Sequence, residues 1–145
     1  MRRYMTCPGN HEGGQGFLQY LYRFQSQPTN SGLTPQGVSG LVGGLPNTMY
    51  FSFNTGLVHW VAVSTEAYFF YAGQAAQYAW LEADLAAVNR TATPWVIVYG
   101  HRSIYCSCDS DCDADAQAVR DGAQGLEALF MRHGVDLWIN GHEAG

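Results

Sequence analysis

Three short runs of the sequence place a side chain of metal-binding type directly after an apolar stretch. They are Asn10-His11, Gly100-His101 and Gly141-His142. An imidazole nitrogen and an amide oxygen together suit borderline cations such as Zn, Mn and Fe better than Ca or Mg. Taken singly, each run is equally typical of an ordinary turn. Their recurrence at three strand ends predicts one metal site with three ligands, namely Asn10, His101 and His142.

Alternating strands and helices are predicted to position these runs. Apolar, β-branched segments predict strands over residues 49–53, 57–64, 95–99 and 135–139, the first two joined by a hairpin turn at residues 54–56. Helical spacing predicts helices over residues 17–24, 74–88 and 126–130, with Gly134 ending the last. This order indicates an α/β fold with mainly parallel strands. Because ligand sites gather at the carboxyl ends of such strands, the three runs are expected to converge.

Length and charge exclude some partners. The 145 residues suffice for one domain, in which residues 25–46, rich in Gly, Ser, Pro and Thr, are predicted to form a long surface loop. The formal net charge is -5, with only 7 Lys and Arg residues, which argues against nucleic acid or an anionic membrane as the main partner. No run is apolar and long enough to span a bilayer.

Three of the four cysteines crowd into one short segment. Cys106, Cys108 and Cys112 lack the second ligand pair that a structural zinc site requires, so a disulfide between Cys106 and Cys112 is the favoured prediction. Such a bond would indicate an oxidising compartment. Asn89-Arg90-Thr91 is an N-glycosylation sequon in a predicted surface turn, a triplet that also occurs often by chance.

Two further groups of metal-binding type have simpler interpretations. Aspartates alternate through residues 109–115 as in a calcium loop, but the central Gly and terminal Glu of an EF-hand are missing. This segment is therefore predicted to be a solvated acidic loop. His59 falls inside a predicted strand and is interpreted as a packed histidine rather than a ligand.

Several blocks of the sequence resemble, in order, those of the purple acid phosphatases, most closely the animal-type branch. They cover residues 7–12, 63–66 with 68–70, 77–85, 99–107, 134–138 and 141–143. They include Gly9-Asn10-His11-Glu12 and Gly100-His101-Arg102. The Gly-rich stretch between Phe24 and Pro46 matches least well.

The resemblance implies a calcineurin-like metallophosphoesterase fold, an α/β/β/α sandwich of which residues 1–145 form part. It further implies a metal-dependent acid phosphatase that hydrolyses small-molecule phosphomonoesters through a binuclear centre, Fe with Zn, Mn or Fe. Such a protein is expected to be secreted or lysosomal, with its signal peptide outside this chain.

The resemblance also assigns roles to individual residues. Asn10, His101 and His142 match ligands of the second, divalent metal. His11 matches a residue that contacts the substrate phosphate and protonates the leaving group, which suits an imidazole at acidic pH. Arg102 is expected to bind phosphate, although a salt-bridged arginine is an equally good interpretation.

The match is incomplete at the first metal. Two Asp ligands and a Tyr ligand of the family lie on blocks upstream of Gly9, and Ala144 stands where a His ligand is expected. Two interpretations follow. The chain is either a fragment of a longer phosphatase that carries the second-metal half of the site, or a degenerate, non-catalytic relative with one weak metal or phosphate site. A structural domain without any site is a third alternative. Truncation would leave exposed sheet edges and an uncovered apolar face, which are expected to make the isolated chain prone to aggregate.

Overall fold

A mixed four-stranded sheet organises the structure, a computed structural model that describes residues 4–32, 38, 46–107 and 110–142. The strands are β1 Phe51–Thr55, β2 Val58–Ala62, β3 Trp95–Tyr99 and β4 Leu137–Ile139, in that spatial order. β1 is antiparallel to β2, whereas β2, β3 and β4 run parallel. The predicted mainly parallel α/β arrangement is therefore confirmed, and three strands present their carboxyl ends at the same edge.

In the described part of the chain, four α-helices and two 3-10 helices accompany the sheet. The first 3-10 helix spans Asn10–Phe17 and leads into α1, Leu18–Arg23, while the second spans Thr65–Tyr68. The remaining helices are α2 Gln74–Ala86, α3 Ser110–Arg120 and α4 Leu126–His133. Within the described residues, no helix has the length and apolar character needed to cross a membrane.

The main core lies between one face of the sheet and the longer helices. Strand valines pack there against leucines of α2 and α4; the set is Val61, Val63, Val96, Val98, Leu81, Leu85, Leu126 and Leu129. All eight are at most 5% exposed. Burial on this scale is the main favourable term that holds parallel strands in register.

The other sheet face is apolar and partly exposed. Trp95, Leu137 and Ile139 are 56%, 49% and 44% exposed. An open cavity of about 310 Å³ on this side is lined by Met5, Phe53, Trp60, Tyr99 and Ile139. The described residues form one sheet only, so this face corresponds to the side on which the predicted sandwich requires a second layer.

Most of the predicted elements are confirmed within a few residues. The strand over residues 95–99 is found as predicted, and the helix predicted over residues 74–88 ends at Ala86. Gly134 ends α4 in a left-handed conformation at φ 63°. The hairpin turn is displaced, because β1 continues through Thr55 and Gly56 turns the chain at φ 58°. Of the predicted loop over residues 25–46, residues 33–37 and 39–45 lie outside the described residues.

The predicted acidic loop is wrong for most of its length, because α3 forms there. Cys112, Ala116 and Val119 are buried and lie three and four residues apart, which is the spacing of one helix face. Asp111 and Asp113 occupy the first turn, where negative charge is favourable to a helix. The predicted Cys106–Cys112 disulfide is confirmed, with Cα atoms 5.8 Å apart, and it connects α3 to the segment after β3.

His59 is a packed histidine, as predicted. Its ring is 8% exposed and its two nitrogens lie 2.7 Å from Asn54 Oδ1 and 2.9 Å from Asp84 Oδ2. The Asp84 carboxylate also accepts a hydrogen bond of 2.6 Å from Ser52. This buried polar group therefore joins β1, β2 and α2 rather than binding a ligand.

Candidate metal centre and active site

The three predicted metal ligands meet at the carboxyl edge of the sheet. Asn10 opens the first 3-10 helix, His101 lies two residues after β3, and His142 lies three residues after β4. His101 Nε2 is 2.9 Å from Asn10 Oδ1 and 2.8 Å from His142 Nδ1. The two imidazole rings are 4.6 Å apart and close to perpendicular. Residues separated by up to 132 positions in the sequence, Asn10 and His142, are thus brought to one point.

Backbone pairing holds the two histidine segments together beyond the strands. The Gly100 amide donates to the Ile139 carbonyl at 3.0 Å, and the Gly141 amide donates to the His101 carbonyl at 3.0 Å. The parallel ladder between β3 and β4 thus continues into the site. His142 adopts φ 75°, an uncommon conformation for a non-glycine residue, and such residues cluster at functional sites.

Glycine is required at two of the three positions that precede this site. A Cβ on Gly9 would lie 2.8 Å from His101 Nδ1, and one on Gly100 would lie 2.5 Å from the Trp138 ring. The absence of a side chain therefore permits the close approach. At Gly141 no described atom lies within 4 Å of a Cβ.

The atoms that converge form a donor set that a cation fits. His101 Nε2 carries at most one proton and can donate to only one of its two close partners, whereas a cation can accept all three lone pairs at once. One amide oxygen and two imidazole nitrogens suit a borderline divalent ion. Among the described residues, no group of three or more His, Cys, Asp or Glu side chains is arranged to bind a metal. The ligand role of Asn10, His101 and His142 therefore remains a prediction.

Burial changes the proton affinity of the central imidazole. Removal of the ring from water lowers the pKa of His101 below its ordinary value; Glu66 and Glu12 oppose this effect, whereas His142 and Arg102 add to it. The neutral imidazole is the form that binds a metal. At mildly acidic pH this ring therefore keeps its lone pair better than an exposed histidine would.

Arg102 forms a buried ion pair next to the histidines. Its guanidinium donates from Nε and Nη2 to the two carboxylate oxygens of Glu66, at 3.0 and 3.2 Å. Glu66 is fully buried and the Arg102 side chain is 7% exposed. Asp115 accepts a further hydrogen bond from Arg102, and the Phe69 ring lies 4.2 Å from the guanidinium carbon.

The ion pair reaches the predicted ligands through His142. Arg102 Nη1 lies 3.2 Å from His142 Nε2, and Asp115 Oδ2 lies 3.8 Å from the same nitrogen. The structure thus shows the salt-bridged arginine that the sequence allowed as an alternative. Phosphate binding by Arg102 remains a prediction, and Asp115 is the group on this side that can accept a hydrogen bond from Nε2 when Nδ1 binds a cation.

His11 is exposed and lies beside the predicted ligands. It lines a cavity of about 510 Å³ between the first 3-10 helix and α1. Its neighbour Glu12 accepts a 2.8 Å hydrogen bond from the Gly9 amide and so stabilises the turn that carries Asn10. Ala144, which stands where the family pattern has a His ligand, lies outside the described residues.

Two functional neighbours were not singled out from the sequence. Glu66 follows β2 at the same sheet edge as the histidines, so the strand-end argument already pointed to it. Asp115 was assigned to a loop because the aspartates alternate. Its position four residues after Asp111, in a segment with three regularly spaced buried residues, is the signal that would have placed it on a helix.

A comparison with family models decides the fold family. The family described as calcineurin-like phosphoesterase matches residues 1–145. The chain belongs to this family. A solved purple acid phosphatase from yellow lupin (Lupinus luteus) seeds shares the fold, with a TM-score of 0.57 and 23% identity over 96% of this chain and 24% of that one. The predicted calcineurin-like α/β fold is therefore confirmed.

The chain is also similar in sequence to proteins named acid phosphatase. It is 41% identical to acid phosphatase type 7 of Homo sapiens, covering 97% of this chain and 31% of that protein. It is 32% identical to purple acid phosphatase 15 of Arabidopsis thaliana, covering 95% of this chain and 24% of that protein. The predicted resemblance to purple acid phosphatases is confirmed, and the chain spans less than a third of these relatives.

Proposed function

We propose that this chain is part of a metal-dependent acid phosphatase that hydrolyses small-molecule phosphomonoesters. The observation that carries the proposal is the convergence at the carboxyl edge of the sheet, where His101 Nε2 lies 2.9 Å from Asn10 Oδ1 and 2.8 Å from His142 Nδ1. Relatives named acid phosphatase support the reaction type. Because the chain spans 31% of acid phosphatase type 7, the activity is proposed for the whole protein.

In this proposal the three residues hold the divalent half of a binuclear centre, Fe with Zn, Mn or Fe. When bound, such a pair of cations offsets the negative charge of the phosphate and lowers the pKa of water. The chain supplies the ligands, and the Asp115 carboxylate lies on the Nε2 side of His142, where it can accept a hydrogen bond from that nitrogen when Nδ1 binds a cation. Glu66 holds Arg102 by two hydrogen bonds and so prevents it from moving away.

His11 is proposed to act at the leaving group. It adjoins Asn10 in sequence and is exposed to the cavity, so a phosphate on the predicted ligands would lie beside it. An imidazolium at acidic pH can donate a proton to the departing ester oxygen. Replacement of His11 is therefore expected to slow turnover while the metal ligands remain in place.

An oxidising compartment is proposed as the site of action. The Cys106–Cys112 disulfide is of a kind that persists in secreted and lysosomal proteins and is rare in the cytosol. Asn89 of the sequon is exposed in a turn, where its side chain accepts a 3.0 Å hydrogen bond from the Thr91 amide. Both features agree with secretion.

A non-catalytic relative is the second candidate. The chain is 35% identical to a protein of Arabidopsis thaliana named probable inactive purple acid phosphatase 9, over 96% of this chain. In this alternative Asn10, His101 and His142 bind one cation or phosphate weakly and no turnover follows.

Metal binding and hydrolysis, measured side by side, separate the candidates. We expect calorimetric titration with Zn²⁺ or Mn²⁺ to show one site that is lost in His101→Ala and His142→Ala. His133→Ala is the matched control, because His133 lies at the end of α4 that precedes β4. Metal-dependent release of para-nitrophenol from its phosphate at pH 5 supports the phosphatase. Binding without turnover, also when the upstream part of the protein is present, supports the non-catalytic relative.

A further inference from the structure

The cavity beside His11 is large enough for the organic part of a small ester. Its volume of about 510 Å³ falls within the range of small-molecule sites, roughly 300–1,000 Å³. His11, which lines it, follows the predicted ligand Asn10 directly in the chain. Its walls combine aromatic and polar side chains, chiefly His11, Glu12, Gln15, Gln19, Arg23 and Phe24.

The loop that forms one wall has an unusual backbone. Gln15, Gly16 and Phe17 follow one another at φ 53°, 64° and 63°, and two of the three are not glycine. Phe17 is 2% exposed, and its ring packs edge-on against Phe70 and Tyr71, with centroids 6.3 and 5.6 Å apart. This packing holds Gln15 at the cavity in a conformation that side chains rarely adopt. Such strain clusters at ligand sites.

Arg23 differs from the other arginines that the structure describes. Arg90, Arg102, Arg120 and Arg132 each form an ion pair with a carboxylate. Arg23, the last residue of α1, is exposed, lines the cavity and has neither an ion pair nor a side-chain hydrogen bond with any described residue. A guanidinium presents a planar fork of donors that matches a carboxylate or a phosphate.

The same wall also carries a negative charge. Glu12 lines the cavity, and its Oε2 is committed to the Gly9 amide at 2.8 Å. Besides His11, Arg23 is therefore the group at this cavity whose positive charge is available to an anion. An ester that reached both His11 and Arg23 would place its phosphate at one side of the cavity and a second anionic group at the other.

We propose that this cavity binds the organic part of the substrate and that Arg23 selects esters whose leaving group carries an anion. The inference rests on the proposed phosphatase function, since it takes the phosphate to lie at Asn10 and His11. It assigns the substrate class as phosphomonoesters with a second negative charge, and it makes Arg23 a specificity-determining residue.

A pair of matched ligands tests the proposal. Calorimetric titration of the metal-loaded chain with phenyl phosphate and with 4-carboxyphenyl phosphate compares esters that differ by one carboxylate. We expect the carboxylated ester to bind about fivefold more tightly, which is the size of one exposed charge pair. In Arg23→Gln this preference should fall to about one. Arg132→Gln removes the same charge from another exposed arginine and should retain the preference.

The outcomes separate this inference from the proposed function. Equal affinity for the two esters, an unchanged preference in Arg23→Gln, or an equal loss in Arg132→Gln would show that Arg23 is a solvated surface arginine only. Failure of both esters to bind would show that the cavity is no ligand site. Tighter binding of the carboxylated ester that depends on Arg23, without hydrolysis of either ester, supports the inference and contradicts the proposed phosphatase function. Hydrolysis of both esters at equal affinity supports the phosphatase and rules out selection by Arg23.

Discussion

Gly9 shows how a single residue controls the geometry of the candidate centre. Its Cα lies so close to the His101 ring that a methyl group would overlap three ring atoms within 3.0 Å. The ring itself is held between Asn10 and His142. A side chain at position 9 would therefore have to displace a predicted ligand.

The first prediction concerns metal affinity in Gly9→Ala. The added methyl group should push the His101 ring away from Asn10, and we expect the affinity for Zn²⁺ or Mn²⁺ to fall by roughly tenfold to a hundredfold, as when ligand-orienting groups are lost. Gly141→Ala is the control, because no described atom lies within 4 Å of its Cβ. Isothermal titration compares the two variants with the parent chain. Equal affinity in Gly9→Ala and the parent would contradict a ligand role for His101.

The second prediction concerns the buried pair of Glu66 and Arg102. In Glu66→Gln the guanidinium keeps only Asp115 as an ionic partner, and we expect the free energy of unfolding to fall by about 3 kcal/mol. The exposed pair of Glu82 and Arg132 supplies the control, since Glu82→Gln should cost less than about 1 kcal/mol. Urea denaturation measures both variants. Similar losses in the two variants would mean that the burial of Glu66 adds nothing to the contribution of its ion pair to the free energy of unfolding.

How much of the site can be predicted depends on which of its features the local sequence determines. Asn10, His101 and His142 could be predicted because each follows an apolar run at a glycine, and the ends of parallel strands meet. The same argument places Glu66 at this edge but does not identify it as the buried partner of Arg102. Glu66 is fully buried only because the second 3-10 helix turns it under Arg102, and the sequence carries no period that shows this.

Among the elements, β4 depends on a side chain just before its first residue. Asp136 accepts a hydrogen bond of 2.7 Å from the Val96 amide of β3 and another of 2.7 Å from Arg90. Arg90 also donates to the Pro94 carbonyl at 2.9 Å and so connects the segment between α2 and β3 to Asp136. These contacts hold β4, an edge strand of three residues, at its end opposite the candidate site.

The third prediction concerns the pH dependence of this contact. The Val96 amide, followed by Arg90, holds the pKa of Asp136 below its ordinary value. Because the folded-state pKa is the lower one, the contribution of Asp136 to stability is complete above the unfolded-state pKa, about 3.9, and is lost as pH falls through the folded-state value. Asp136→Asn should therefore reduce the free energy of unfolding at pH 7 but change it much less near pH 2. Urea titrations at both pH values measure this, and an equal deficit at the two would contradict it.

The elements themselves differ in how well the sequence predicts them. β3 is a run of five apolar or aromatic residues after Pro94, and both its ends are found where the pattern places them. In α3 the alternating aspartates hide a helix whose buried face consists of Cys112, Ala116 and Val119. Small and sulfur-containing side chains give a weak apolar period, and tertiary packing together with the disulfide decides the conformation there.

At the scale of the whole molecule, the two faces of the sheet are covered to different extents. The valines of β2 and β3 are covered by α2 and α4, whereas Trp95, Leu137 and Ile139 are between 44% and 56% exposed. Exposed apolar patches of this kind mark contacts with another surface. In the chain by itself this face has the composition of an interface.

The fourth prediction is that the 145-residue chain self-associates through this face. Ile139→Lys places a charge in its apolar cavity, and we expect the concentration at half-association to rise by roughly tenfold, equivalent to about 1.4 kcal/mol. Met131→Lys adds the same charge on α4 at a residue that is 79% exposed, and it should leave association unchanged. Sedimentation equilibrium measures both. Because Ile139 lies on β4 close to His142, metal titration of the same variant shows whether its candidate site remains assembled. Association that persists in Ile139→Lys, with metal binding intact, would exclude this face as the contact surface.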